Sequence, residues 1–273
     1  MSEPSTIDNL LHEERRFSPD PSFVEQAVAT PALYDAAKAD RLGFWADQSR
    51  ELLHWHTPFR EVLDWSNPPF ARWFYDGALN VSYNCLDRHV AAGRGDRVAL
   101  HFEGEPGDQE SVTYAELTSR VKRAANLLAS LGVKQGDRVI IYMPLIPEAV
   151  VAMLAVARLG AIHSVVFGGF SAESLRARID DADASLVITA DGGNRKGSVF
   201  PLKPAVDKAL ADGKTNVRCV LVVRRGGNDV EWVSGRDLWW HEEIAPMSDQ
   251  HDADAFEAEN PLFILYTSGT TGK

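Results

Sequence analysis

Residues 138–167 read RVIIYMPLIPEAVVAMLAVARLGAIHSVVF. Val139 to Tyr142 is a short apolar run, which predicts a strand. Glu148 to Leu159 is apolar almost all round, too long for a typical strand, and closed by Gly160, so it predicts a buried helix. Ile162 to Phe167 is a second strand, ending in Gly168-Gly169. Apolar strands that alternate with helices and lack a polar face need cover on both sides, which points to a buried, largely parallel sheet.

The same alternation extends in both directions. Upstream, Arg97 to Phe102 reads as a strand and Gly104 to Asp108 as a turn. Thr113 with Glu116 forms a capping-box signature. Val121, Ala124, Leu127, Leu128 and Leu131 then recur at helical spacing until Gly132. Downstream, Ser171 to Ile179 reads as a helix, Leu186 to Thr189 as a strand, Pro204 to Leu210 as a helix and Val217 to Val223 as a strand. There is no internal repeat. Residues 1 to 20 are polar. Between residues 21 and 95, Trp45, Trp55, Trp65 and Trp73 are separated by Pro58, Pro68 and Pro69. That pattern predicts a few helices and turns wrapped over another surface, rather than a second sheet domain. Asp249 to Glu259 holds five carboxylates and reads as a solvated acidic linker. Pro261 to Tyr266 reads as a strand running directly into Thr267-Ser-Gly-Thr-Thr-Gly-Lys273. A strand that enters such a loop at the last residue suggests a truncated chain with one sheet edge left unpaired.

Composition narrows the function classes. The 273 residues are 45% hydrophobic and 25% charged, with 28 Lys and Arg against 39 Asp and Glu. A net charge of −11 argues against a general nucleic-acid binder, though a few local donors suffice for an anionic ligand. Cys85 and Cys219 are the two cysteines, too few for a disulfide framework or a Cys-rich zinc site, and they fit a reducing cytoplasm. The opening residues are polar and acidic, unlike a secretory signal, and no apolar stretch reaches the length of a membrane span. A cytoplasmic protein without nucleic-acid or membrane partners is the expectation.

Thr267, Ser268, Gly269, Thr270, Thr271, Gly272 and Lys273 combine glycines that free the backbone amides, hydroxyl donors and a mobile cation. This is the chemistry of a phosphate-binding loop, but not a Walker loop, because Thr267 stands where the first glycine belongs. Taken alone, a turn of small residues explains the stretch equally well. His163 reads as a hydrogen-bonded core histidine. His241-Glu242-Glu243 lacks the second histidine of a zinc-protease helix. His54 and His56 have no neighbouring ligand cluster in sequence, and Arg224-Arg225 reads as an exposed strand end. No G-x-S-x-G elbow occurs.

Tyr266 to Lys273 resembles the signature loop of the acyl-adenylate-forming superfamily. Further stretches resemble its acetyl-CoA synthetase branch: Leu79-Asn-Val-Ser-Tyr-Asn-Cys-Leu-Asp-Arg88, Gly136-Asp-Arg-Val-Ile-Ile-Tyr-Met-Pro144, Gly160-Ala-Ile-His-Ser-Val-Val-Phe-Gly-Gly-Phe-Ser171, Leu186-Val-Ile-Thr-Ala-Asp191 and Pro201-Leu-Lys203. The resemblance runs from about residue 20 to the last residue. It implies the layered αβα part of a large amino-terminal domain. Residues 1–95 would be the synthetase-type extension and 96–273 the first part of the AMP-binding domain. It also implies a ligase that joins acetate to AMP with release of pyrophosphate, then transfers the acetyl group to CoA.

ATP and CoA would be substrates, with Mg2+ accompanying the nucleotide. Thr267 to Lys273 would wrap the β- and γ-phosphates. Arg195 matches the first arginine of a CoA-binding segment that here includes Lys196, Gly197 and Ser198. Ser198 stands where many members have a second arginine, and Lys196 is not an equal replacement because it lacks the guanidinium fork. Phe167, Gly168 and Gly169 match the stretch beside CoA. By composition alone, the polar turn at 192–198 is a solvated loop and Gly168-Gly169 a strand terminator. The resemblance places the acid pocket, catalytic lysine and magnesium ligands beyond residue 273, so no catalytic or metal residue is expected within the chain and residues 1–273 alone are expected to be inactive. Alternatives are a synthetase for propionate or another short acid, and a CoA- or nucleotide-binding module without catalysis.

Overall fold

A computed structural model describes residues 15–267. The chain divides into two compact units at Ser49 and Arg50. In the first, helices α1 (Pro21–Gln26) and α2 (Pro31–Ala39) each begin with proline, whose missing N–H costs nothing in a first turn. Asp20 caps α1 by accepting from the Ser22 amide. Most of α3 (Arg41–Leu52) completes this unit.

The second unit opens with the expected irregular aromatic segment. Trp55, Phe59 and Phe74 pack ring against ring, with centroids 4.6–5.8 Å apart. The only regular strands here are pairs of two residues, β1 (Leu63–Asp64) with β2 (Arg72–Trp73), and β3 (Ala78–Leu79), before the short helix α4 (Val81–Cys85). A short helix, α5 (Asp87–His89), and a π-type turn follow. Then β4 (Val98–Glu103) and β5 (Gln109–Thr113) form an antiparallel hairpin. The second strand of this hairpin is hidden in sequence by its polar composition, Gln-Glu-Ser-Val-Thr.

Thr113 and Glu116 make the predicted capping box at the start of α6 (Tyr114–Ser130). A five-stranded parallel sheet follows. Its strands are β6 (Arg138–Met143), β7 (Ile162–Phe167), β8 (Leu186–Ala190), β11 (Cys219–Val223) and β12 (Asp237–Trp239), in spatial order β12-β11-β8-β6-β7. The chain runs from β6 through α7 (Pro147–Arg158) to β7 on one side. It then returns through α8 (Ala172–Ala182) past β6 to β8. Right-handed crossovers taken in opposite directions place α7 and α8 on opposite faces of the sheet. Helix α6 packs on α7, and α9 (Lys203–Leu210) packs on α8. The αβα layering matches the sequence expectation.

β8 and β11 are buried at every residue, as strands covered on both faces should be. β7 differs: Ser164 and Val166 are buried, whereas Val165 and Phe167 are 39% and 58% exposed. The structure departs from the sequence expectation over residues 261–266 and at His163. Pro261 to Tyr266 was expected to be a strand, but only Phe263 bridges to His163, through His163 N–H to the Leu262 carbonyl at 3.3 Å and Ile264 N–H to the His163 carbonyl at 2.9 Å. Phe263 and Leu265 stay 54% and 68% exposed, so no described surface rewards extending the ladder. His163 is neighboured by the Phe263 ring, but its Nδ1 has no hydrogen-bond partner among the described residues, and burial lowers its pKa.

The acidic linker is also not free. Its backbone is tied down by Asn126 at Ser248 and Gln250, by Asn80 at Asp254, and by pairing of β13 (Phe256–Glu257) with β3. The sequence could not indicate this, because the donors lie more than a hundred residues away. Smaller elements missed in sequence are the hairpin β9 (Gly192–Arg195) and β10 (Ser198–Pro201), and the helix α10 (Trp240–Ile244) after β12. No described helix is long and apolar enough to cross a membrane.

Candidate functional site

Strand order reverses at β6, because its two following connections leave in opposite directions. Crevices in open parallel sheets form at the carboxyl ends of strands at such a point. A cavity of about 570 Å3 lies there. Its floor is the chain leaving β6 and β7, from Met143 to Ile146 and from Val165 to Gly168. Arg195 and Phe200 of the β9–β10 hairpin form one wall, and Leu265, Tyr266 and Thr267 another. The β4–β5 turn, with Gly104 and Glu105, closes the rim.

The glycines after β7 are required by close approach. A Cβ on Gly168 would sit 3.1 Å from the Met143 carbonyl oxygen. On Gly169 it would meet the Phe167 ring at 2.8 Å and lie 3.4 Å from Arg195 Nη1. The structure therefore brings Phe167, Gly168, Gly169 and Arg195 together. Arg195 makes no ion pair with a described residue, so its fork of donors is available at the cavity wall.

Lys196, Gly197 and Ser198 lie at the exposed hairpin tip. Lys196 and Gly197 have φ of 53° and 74°, the left-handed pair of a two-residue hairpin turn. Ser198 Oγ donates to the Arg195 carbonyl at 3.3 Å. Lys196 and Ser198 do not line the cavity. Of the glycine- and hydroxyl-rich loop, Thr267 is exposed at the cavity edge. Ser268, Gly269, Thr270, Thr271, Gly272 and Lys273 lie outside the described residues.

Three residues at this site escaped the sequence reading. Asp191, 1% exposed, accepts four backbone N–H groups, from Gly192, Arg225, Gly226 and Gly227, at 2.7–2.8 Å. It thereby joins the start of the β9–β10 hairpin to the loop after β11. Arg225, expected to be a solvated strand end, instead reaches the cavity. It makes a bidentate pair with Asp108 at 2.5 and 3.0 Å, and that carboxylate raises its pKa. Arg178 on α8 lies over the Phe170 and Tyr266 rings, 4.8 and 4.9 Å from their centroids. The Tyr266 hydroxyl donates to Asp181 at 2.5 Å, and burial, then that carboxylate, pushes its pKa up to about 12. Nothing local marks Asp191 or Arg178. Nothing local marks the hairpin that carries Arg195 either, because Lys-Gly is not a turn pair that sequence favours.

Residues 87–273 match the family described as AMP-binding enzyme, and residues 30–85 match the acetyl-coenzyme A synthetase N-terminus. The chain is 64% identical over 268 residues to an acetyl-coenzyme A synthetase of Streptomyces avermitilis, covering 98% of this chain and 41% of that protein. It is 60% identical over 272 residues to the acetyl-coenzyme A synthetase of Mycolicibacterium smegmatis, covering 98% and 29%. With that of Burkholderia mallei it shares 53% over 276 residues, covering 98% and 42%. The chain spans about two-fifths of the length of most of the curated relatives it matches. A parallel sheet with a crevice at its switch point carries a family match over more than two-thirds of the chain: it belongs to the AMP-binding enzymes.

Proposed function

We propose that this chain forms the nucleotide- and CoA-binding part of an AMP-forming acetate–CoA ligase, with residues 1–95 as the synthetase-type extension and 96–273 as the start of the AMP-binding domain. An acetate oxygen attacks the α-phosphorus of ATP, the bond to the β-phosphate oxygen breaks, and acetyl-AMP and pyrophosphate form. The CoA thiol then attacks the acetyl carbon, loses its proton, and releases AMP. Thr267 to Lys273 hold the β- and γ-phosphates. Phe167, Gly168 and Gly169 admit the coenzyme close to the backbone, and Arg195 forks onto its phosphate. Lys196, Gly197 and Ser198 border that phosphate at the hairpin tip.

The observation that carries this reading is the shared cavity. Arg195, with a fork unpaired among the described residues, and the glycine step stand on one side of it, and the segment entering Thr267 on the other. Magnesium accompanies ATP as its counter-ion. The described residues hold no cluster of three or more His, Cys, Asp or Glu side chains suited to a metal, so none of them is assigned to the ion. The two free cysteines, Cys85 and Cys219, support a cytoplasmic location as part of the same reading. The test is acetate-dependent exchange of pyrophosphate into ATP by the full-length chain, followed by AMP release on adding CoA. Exchange with acetate well above that with propionate is expected. Preference for propionate would replace the acid, and no exchange with either would leave a binding module.

A further inference from the structure

In a two-residue hairpin turn the second turn residue's N–H lies outside the strand ladder and points outward. At the tip of β9–β10 that residue is Gly197, and its N–H donates to a carboxylate oxygen of Glu105 at 2.8 Å. Glu105 is held there by its own hairpin. The β4–β5 turn carrying it is fastened by the bidentate Asp108–Arg225 pair, and Arg225 is in turn held through its backbone N–H by buried Asp191. Glu105 and Arg195 line the same cavity, and among the described residues neither has an ion-pair partner. An acid is thus presented to an outward amide beside an unspent guanidinium, which is where an incoming phosphate would seek its donors.

We propose that Glu105 is an internal anion latch on the coenzyme site. Its carboxylate occupies the Gly197 amide when the site is empty, and must yield that amide, against its own negative charge, when the ribose phosphate of CoA arrives at Arg195. The latch lowers affinity for the phosphorylated coenzyme and speeds its release, and it is indifferent to a coenzyme lacking that phosphate. It rests on the CoA reading above.

The test is calorimetric titration of the full-length chain with CoA and with dephospho-CoA, for wild type, Glu105→Gln, Glu105→Ala and Arg195→Ala. Removing one exposed like charge should tighten CoA about three- to fivefold in Glu105→Ala, and less in Glu105→Gln, which keeps an acceptor for Gly197. Dephospho-CoA should be unchanged in both. Unchanged or weakened CoA binding, or equal tightening of both coenzymes, would overturn the latch. Arg195→Ala separates the two failures. If it abolishes the preference for CoA over dephospho-CoA, the coenzyme reading stands whatever Glu105 does. If wild type binds both coenzymes equally, reading and latch fall together.

Discussion

Asp191 lies at the end of β8 with one carboxylate oxygen accepting from Gly192, Arg225 and Gly226 and the other from Gly227. A buried carboxylate is tolerable when backbone donors surround it, and its removal strands those donors. Asp191→Ala should therefore cost about 3 kcal/mol in urea unfolding. It should also weaken CoA binding, because Arg225 and the β9–β10 hairpin lose their common anchor. Asp191→Asn should cost less, since one oxygen can still accept three of the four bonds. Equal losses in the two variants would show that the charge, not the donors, is what the site needs. In sequence Asp191 ends an apolar run that carries part of the family resemblance, and nothing local marks it as an anchor. Its partners at 225–227 are brought to it by the pairing of β11 with β8.

Among the elements, the β9–β10 hairpin is built with an unfavourable residue. Lys196 adopts a left-handed backbone that a long side chain resists and asparagine accepts. Lys196→Asn should therefore stabilise the chain by about 0.5–1 kcal/mol, seen as a higher thermal midpoint. Gly197→Ala should cost about 1 kcal/mol, and for backbone reasons alone, because its Cβ would meet nothing within 4 Å. Similar shifts for the two would contradict the turn assignment. Helix α6 shows the opposite case. Its capping box and its apolar stripe from Val121 to Leu128 are local, so sequence and structure agree on it. The hairpin has four-residue strands of mostly polar or glycine character, too short for periodicity to declare them.

At the scale of the molecule, the 248–260 segment is fastened through Arg158. This side chain is 1% exposed, forks onto Asp87 at 2.7 and 3.0 Å, and donates to His251 at its carbonyl (2.6 Å) and at Nδ1 (3.2 Å). Burial, then the Arg158 charge, lowers the His251 pKa below its usual 6.5. The sign follows from linkage. Above pH 6.5 the imidazole is neutral folded and unfolded, so stability is flat; below it the unfolded chain takes up the proton first, and stability falls. His163, lowered by burial, adds to the same fall. Urea midpoints measured from pH 8 to pH 5 should decline below about pH 6.5, and His251→Gln should flatten that decline. An unchanged slope in the variant would remove His251 from the account.

The sequence alone determined the αβα class, the order of the main strands and helices, the α6 cap and the glycines that turn the chain after β7. Each of these is written in neighbouring residues as period, cap or turn chemistry. Tertiary structure alone decided that Arg225 reaches the cavity, that Asp191 anchors its rim, that Glu105 meets Gly197, and that the acidic segment is docked rather than free. Those arrangements join residues 34 to 174 positions apart, and no local pattern encodes them. They appear only once the strand order β12-β11-β8-β6-β7 sets which chain ends lie side by side.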